Sequence, residues 1–144
     1  MTQRAAATLA FNGLVVLLLG LLAGAPYGAA IVEGWGAEAE RAWKLAHMEG
    51  VQNGILVLAL AAGPAWLSLG SAAERAVVWG AIAAAYGNTI GGILGAVVGQ
   101  RGLAPEGPLA NWAVFVAFMF GMWGFLIAVP AAASGAWNRL RQSR

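Results

Sequence analysis

The chain of 144 residues contains no cysteine and no aspartate, and it has a single histidine, His47. Without cysteine, disulfides and thiolate chemistry are excluded, and the redox compartment stays undetermined. A zinc site with four protein ligands cannot be built from one histidine and no cysteine. Carboxylate-rich metal sites in helix bundles need several acidic ligands, which this chain also lacks. Metal or cofactor chemistry would therefore depend on His47.

Charged residues are scarce as well. They make up 10% of the chain, whereas 60% of the residues are hydrophobic and the mean hydropathy is +0.73. A soluble domain would carry roughly 25% charged residues. The composition therefore excludes a solvated surface and indicates a lipid bilayer as the surroundings. The net charge of +2 and the scattered basic residues indicate no nucleic-acid partner.

Four long apolar segments account for most of the chain, at about residues 6–32, 44–69, 75–99 and 109–135. Each has roughly 25 residues, or about 37 Å of helix, which is enough to cross a bilayer. The segments are too long and too evenly apolar for the strands of a membrane barrel. Short connections make sequential helices antiparallel neighbours. The sequence predicts an all-α fold, a four-transmembrane-helix bundle in one integral-membrane domain over residues 1–144.

The N-terminal segment has two interpretations. Arg4, the apolar run after it and the small residues Ala23-Gly24-Ala25 resemble a cleavable signal peptide. The apolar run continues to about Val32, however, which is long for a signal peptide. A retained membrane helix is the favoured interpretation.

The basic residues predict an orientation in the membrane. Five fall at one end of the predicted bundle, namely Arg4, Arg75, Arg139, Arg141 and Arg144. Three fall at the other end, namely Arg41, Lys44 and Arg101. Because lysine and arginine are enriched on the cytoplasmic side, we expect both termini in the cytoplasm, in a bacterial-type inner membrane.

Glycine recurs at every fourth position in three of the segments. The repeats are Gly20, Gly24 and Gly28, then Gly50 and Gly54, then Gly87, Gly91, Gly95 and Gly99. Small residues at this spacing let helix backbones approach closely in lipid. The pattern predicts close helix packing, and it is also compatible with a homo-oligomer.

Polar side chains cluster early in the second segment. On a helix, His47, Gly50 and Gly54 share one face, while Asn53 lies about 120° away around the axis. A flat cofactor placed edge-on to that face could contact His47, Gly50 and Gly54 and reach the region of Asn53. An ionisable residue at membrane depth is a functional candidate by default.

A purely structural interpretation is open beside the functional one. His47 lies within a turn or two of the predicted interface, and Asn53 and Asn88 could simply hydrogen-bond between helices. Glu49 is expected to face the lipid headgroups or to pair with Lys44 or Arg41. If His47 does bind a cofactor, haem is the candidate, because haem needs only one proximal histidine and leaves the sixth iron position open.

Several residues at a consistent spacing resemble the styrene oxide isomerase family. They are the run Trp43-Lys44-Leu45-Ala46-His47, then Asn53-Gly54, then Tyr86, Asn88 and Arg101-Gly102-Leu103. The likeness extends over roughly residues 40–105. It implies a small homotrimeric membrane enzyme with haem b held between subunits and a small hydrophobic substrate. His47 would be the proximal iron ligand, Asn53 would help orient the substrate oxygen, and Asn88 would lie near the cofactor.

The resemblance also implies a reaction. Ferric iron acts as a Lewis acid on an epoxide oxygen, the ring opens to a benzylic cation, and a 1,2-hydride shift yields an aldehyde. The family's active-site tyrosine falls on Gly92 here, which offers neither a hydroxyl nor a ring.

Three functions therefore remain open. They are an epoxide isomerase, a non-isomerase membrane haem protein that binds a gas or small ligand at the open iron site, and a four-helix protein without a cofactor. Gly92 favours the second over the first. The His47-to-Asn53 spacing favours either of these over the third.

Overall fold

A computed structural model describes residues 1–143, which form four long α-helices. These are α1 (Gln3–Val32), α2 (Ala37–Ala61), α3 (Ser71–Val98) and α4 (Leu109–Gln142), with a short 3-10 turn at Gly63–Ala65 after α2. Among the described residues there is no strand, which confirms the all-α class. Arg144, counted above for the orientation, lies outside the described residues.

Three of these four helices, α1, α3 and α4, are long and apolar enough to cross a membrane. Helix α2 is similar in length, but its first half carries Glu38, Glu40, Arg41, Lys44 and Glu49. The 12 residues after Glu49 carry no charge but include Gln52 and Asn53, and they give about 18 Å of helix, well short of a bilayer core. The structure therefore supports three membrane spans, and a four-span bundle remains a prediction.

The predicted bounds of the second helix were wrong at both ends. Helix α2 begins at Ala37 rather than at 44, and it ends at Ala61 rather than at 69. The apolar run continues past Ala61, but Gly63-Pro64 interrupts the helix, because proline lacks a backbone N–H and disfavours helical backbone before it. His47 consequently lies ten residues into α2, about 15 Å from its start, rather than in its first turn.

Helix α2 packs between α1 and α3, and α4 packs on the other side of α3. Glycines lie at the close crossings. A β-carbon at Gly87 would overlap the backbone of Gly121 in α4, and one at Gly91 would lie 2.9 Å from the ring of Phe118. The glycine repeat of the third segment is thus explained in part by contact with α4.

The loop that joins α3 to α4 is held by one buried side chain. Asn111 accepts a hydrogen bond from the Gly102 backbone N–H at 2.9 Å, and it donates to the carbonyl oxygens of Ala104 and Glu106 at 2.8 and 2.9 Å. Both N–H groups of the amide and one lone pair of its oxygen are used by the loop backbone, so Asn111 holds the loop in place.

Candidate functional site

His47 is fixed by a hydrogen bond to the neighbouring helix. Its Nδ1 lies 2.9 Å from the carbonyl oxygen of Gly20 in α1. A carbonyl oxygen can only accept, so Nδ1 carries the proton and Nε2 carries the free lone pair in the neutral ring. Nε2 makes no hydrogen bond to any residue between 1 and 143, and the ring is only half-buried. His47 therefore presents one oriented nitrogen as a possible ligand.

Two residues of α1 shape the space around this imidazole. A β-carbon at Gly24 would lie 3.1 Å from His47 Nδ1 and 3.3 Å from Cε1, so the absence of a side chain makes room for the ring. The Tyr27 ring stacks with the imidazole, with 6.3 Å between ring centroids and 21° between the planes. The rotation of the imidazole is thus restrained by contacts as well as by the hydrogen bond.

The glycines that share the His47 face of α2 are covered by α1. A β-carbon at Gly50 would overlap the Cα of Gly20, and one at Gly54 would lie 2.7 Å from the Cα of Leu17. Helix α1 fills the space in which a flat cofactor could touch Gly50 and Gly54. The structure accounts for both glycines by close helix packing and assigns neither a cofactor contact.

Asn53 belongs to a different face of α2, as its helical offset from His47 predicts. It is 4% exposed, and its Nδ2 donates to the backbone oxygen of Glu49 at 2.7 Å and to Glu49 Oε2 at 2.8 Å. Its Oδ1 is buried and has no partner among the described residues. The amide therefore offers the surroundings an acceptor and not a donor.

Glu49 lies where sequence reasoning did not place it. Its carboxylate accepts from Asn53, one turn further along the same helix, and it forms no ion pair with Lys44 or Arg41 within residues 1–143. The expectation that Glu49 pairs with Lys44 or Arg41 was wrong, whereas a position facing the lipid headgroups stays a prediction. The signal was available in the sequence, because side chains at i and i+4 are neighbours on a helix.

A hollow of about 310 Å³ opens beside Asn53, where α2, α3 and α4 approach one another. It is lined by Glu49, Gln52, Asn53, Leu56, Asn88 and Phe125. The Asn88 amide oxygen lies against Gly121 of α4, where a β-carbon would overlap it. The fold thus brings Asn53 and Asn88 to one hollow, while His47 faces α1.

The described residues contain no cluster of three histidine, cysteine, aspartate or glutamate side chains that could bind a metal ion. The groups that could take part in chemistry here are therefore the free imidazole nitrogen of His47, the unpartnered amide oxygen of Asn53 and the hollow beside Asn53. Sequence and fold together invite comparison with known membrane proteins.

A family model described as styrene oxide isomerase matches residues 5–137. The chain belongs to the styrene oxide isomerase family. The match extends through all four helices, well beyond the residues 40–105 on which the resemblance in the sequence was noted. No curated protein and no solved structure matches the chain.

Gly92, where the resemblance places the active-site tyrosine of the styrene oxide isomerase family, lies against the backbone of α2. A β-carbon there would be 3.1 Å from the Cα of Ala46, a separation that real side chains seldom show. Ala46 is fully buried and directly precedes His47. Any side chain at this position would require the α2 backbone to shift by a few tenths of an ångström, so the glycine is part of the α2–α3 packing.

A larger cleft of about 690 Å³ lies near Gly92, between the start of α2, the end of α3 and the loop that follows. Its apolar wall includes Leu45, Gly91, Gly95 and Phe118. The absence of a tyrosine at position 92 leaves this space open next to the residues that precede His47.

Proposed function

We propose that this member of the styrene oxide isomerase family is an integral-membrane haem b protein that isomerises a small hydrophobic epoxide to an aldehyde. The observation that supports the proposal best is the orientation of His47. Histidines that bind metals commonly donate their other ring N–H to a carbonyl or carboxylate, which fixes the tautomer and makes the ligating nitrogen more basic. The Nδ1 contact with the Gly20 oxygen is of this kind.

The residues present fit a haem with one protein ligand. His47 Nε2 would hold the iron, and Gly24 and Tyr27 would keep the imidazole in place. When bound, ferric haem supplies a Lewis acid toward the epoxide oxygen. Asn53 and Asn88 border the hollow on a different face of α2 from His47, and they are proposed as residues that would contact a substrate bound at the haem of a neighbouring copy of the chain.

A homotrimer with haem between subunits is part of the proposal. What supports it is the half-buried His47 ring at the edge of the α1–α2 pair, where a planar group would need cover from another copy of the chain. Gly28 and Gly99, two members of the glycine repeats, have nothing within 4 Å of a β-carbon position. With α2 as the fourth span that the sequence predicts, we propose a bacterial-type inner membrane with both termini on the cytoplasmic side.

A second candidate is a haem protein that binds a gas or small ligand without isomerising epoxides. Gly92 favours it, because the hydroxyl that the family's tyrosine supplies is missing at this position, where a β-carbon would lie 3.1 Å from the Cα of Ala46. Both candidate functions require haem, so the first measurement tests haem binding for either of them.

The test is the visible absorption spectrum of the protein purified in detergent, ferric and dithionite-reduced. The native chain, His47→Ala and the neighbouring control Met48→Leu are compared. We expect a Soret band in the native and control proteins that is lost or shifted in His47→Ala. If no Soret band forms even after haem is supplied, the haem proposal is wrong.

Turnover then separates the two candidates. If the protein is an isomerase, we expect it to convert an aryl or alkyl epoxide to the aldehyde without added reductant, and we expect His47→Ala to lose this conversion. Spectral shifts with small ligands but no epoxide turnover would select the second candidate.

A further inference from the structure

The two ends of the helix bundle differ in charge. At one end, Thr2 Oγ1 donates a hydrogen bond to Glu74 Oε1 at 3.0 Å, which joins the starts of α1 and α3. The Ser68 backbone N–H donates to the Gly135 oxygen at 3.0 Å, which joins the α2–α3 loop to the last turns of α4. This is the basic end of the bundle, and in the described part of the chain it carries four exposed arginines, namely Arg4, Arg75, Arg139 and Arg141.

The carboxylate that lies at the basic end is already engaged. Glu74 accepts hydrogen bonds from the backbone N–H and from the hydroxyl of Thr2, and the chain has no acidic residue after Glu106. Within residues 1–143, none of the four arginines forms an ion pair. Their positive charge is therefore not neutralised by the protein itself.

At the opposite end, acidic residues accompany the basic ones. On α2, Arg41 follows Glu38 by three residues, and Lys44 follows Glu40 by four. Side chains at these spacings are neighbours on a helix, and opposite charges there attract each other. The last turns of α4 contain no acidic residue, so an anionic partner is favoured at the basic end.

Contacts with the α2–α3 loop hold the last turns of α4 in place. Besides the bond between Ser68 and Gly135, Gln142 Nε2 donates to Ser68 Oγ at 3.1 Å. A β-carbon at Gly135 would overlap the side chain of Leu69, so the loop packs directly on the helix. The two arginines of α4 lie between these contacts and are presented on an anchored helix.

Apolar side chains accompany the α4 arginines at the surface. Trp137 and Leu140 are exposed, and the Arg141 guanidinium carbon lies 5.4 Å from the centroid of the Trp137 ring. Tryptophan beside basic residues is typical of a segment at the level of the lipid headgroups. A dissolved anion would meet only the arginines, whereas a phospholipid offers them a phosphate and offers Trp137 and Leu140 an acyl chain.

We propose that the basic end of the bundle binds anionic phospholipids, with their headgroups at Arg139 and Arg141 and their upper acyl chains against Trp137 and Leu140. Arginine forms strong, charge-assisted hydrogen bonds with phosphate oxygens. The net negative charge of an anionic lipid adds an attraction that zwitterionic phosphatidylcholine lacks. This inference depends neither on haem nor on epoxide isomerisation.

Fluorescence quenching by brominated lipids tests this selectivity. The protein is reconstituted into phosphatidylcholine vesicles that contain equal mole fractions of either brominated phosphatidylglycerol or brominated phosphatidylcholine. Because the chain has seven tryptophans, the signal of Trp137 is taken as the part that is lost when Trp137→Phe is added to the same variant. The preference is the ratio of the apparent affinities of the two lipids at Trp137, and this ratio cancels changes in fluorescence that are unrelated to lipid charge.

In the native protein we expect phosphatidylglycerol to be preferred by about fivefold, the typical attraction of one basic residue to an anionic surface. Arg139→Gln combined with Arg141→Gln should reduce the preference to about twofold or less, because both cations beside Trp137 are removed. Arg139→Lys combined with Arg141→Lys should keep most of it, because the charge is retained. The control is Arg41→Gln combined with Lys44→Gln, which removes two exposed cations from the opposite end and should leave the preference unchanged.

Equal quenching by the two lipids in the native protein overturns the proposal, and so does a native preference in the glutamine variant. An equal loss of preference in the lysine and glutamine variants also overturns it, because charge would then not set the selectivity. A missing Soret band refutes the haem proposal and leaves this measurement unaffected.

Discussion

The two sides of helix α2 differ in how closely they pack and in whether their polar groups are hydrogen-bonded. Toward α1, glycines bring the backbones together, and His47 Nδ1 donates a hydrogen bond to the Gly20 carbonyl oxygen. Toward α3 and α4, Asn53 keeps an unpaired oxygen beside a hollow. Close packing on the first side therefore fixes the imidazole, whereas the second side leaves a buried hydrogen-bond acceptor unsatisfied.

We expect the largest loss of stability when a methyl group is added on the closely packed side of α2. In Gly50→Ala the new β-carbon would overlap the Cα of Gly20, so α1 and α2 would have to separate. Overpacking of this kind costs about 1–3 kcal/mol, which we expect as a lower unfolding midpoint in detergent. Gly28→Ala is the control, because a β-carbon there meets nothing within 4 Å. Equal midpoints for the two variants would contradict the packing described here.

A smaller effect is expected from Gly24→Val, which crowds the His47 ring rather than the backbone. The side chain would enter the space within 3.1 Å of Nδ1 and break the hydrogen bond to Gly20, a loss of about 0.5–1.5 kcal/mol. Nitrogen-15 NMR reads the outcome directly, because the chain has one histidine. We expect the Nδ1-protonated tautomer in the native protein and a mixture in the variant. An unchanged tautomer in Gly24→Val, matching that of the control Gly28→Val, would remove the role assigned to Gly24.

The smallest effect is expected from Thr89→Val, and it has the opposite sign. Thr89 is fully buried in α3 and its hydroxyl has no partner in residues 1–143. A methyl group of similar size removes the unsatisfied group, so we expect stability to stay constant or to rise by up to about 1 kcal/mol. Thr8→Val serves as the comparison, since the Thr8 hydroxyl donates to the Arg4 oxygen at 2.9 Å. A loss of stability in Thr89→Val would show that its hydroxyl has a partner after all.

Sequence reasoning succeeded where the signal was local. Helices α1, α3 and α4 begin within a few residues of their predicted starts. A clear rise in hydropathy marks the beginning of each of them. The bounds predicted for α2 were wrong, because charged residues precede the apolar part of the helix and the apolar run continues beyond its end. Hydropathy alone does not register the helix break at Gly63-Pro64.

The candidate site was predicted only in part. His47, Asn53 and Asn88 were selected by residue type and spacing, and the different faces of His47 and Asn53 follow from the helical period. The covering of Gly50 and Gly54 by α1 could not be predicted, because spacing within one helix does not show which neighbour lies on its glycine face.

The sequence by itself determined the helical class, the membrane character and the single possible histidine ligand, because composition and periodicity act along one segment. Only the tertiary structure decided that the Gly20 carbonyl oxygen accepts a hydrogen bond from His47 Nδ1, that Asn53 and Asn88 border one hollow, and that Gly92 lies against Ala46. These contacts depend on the rotation and register of one helix against another. Those two quantities are set by packing over whole helix faces rather than by any local motif.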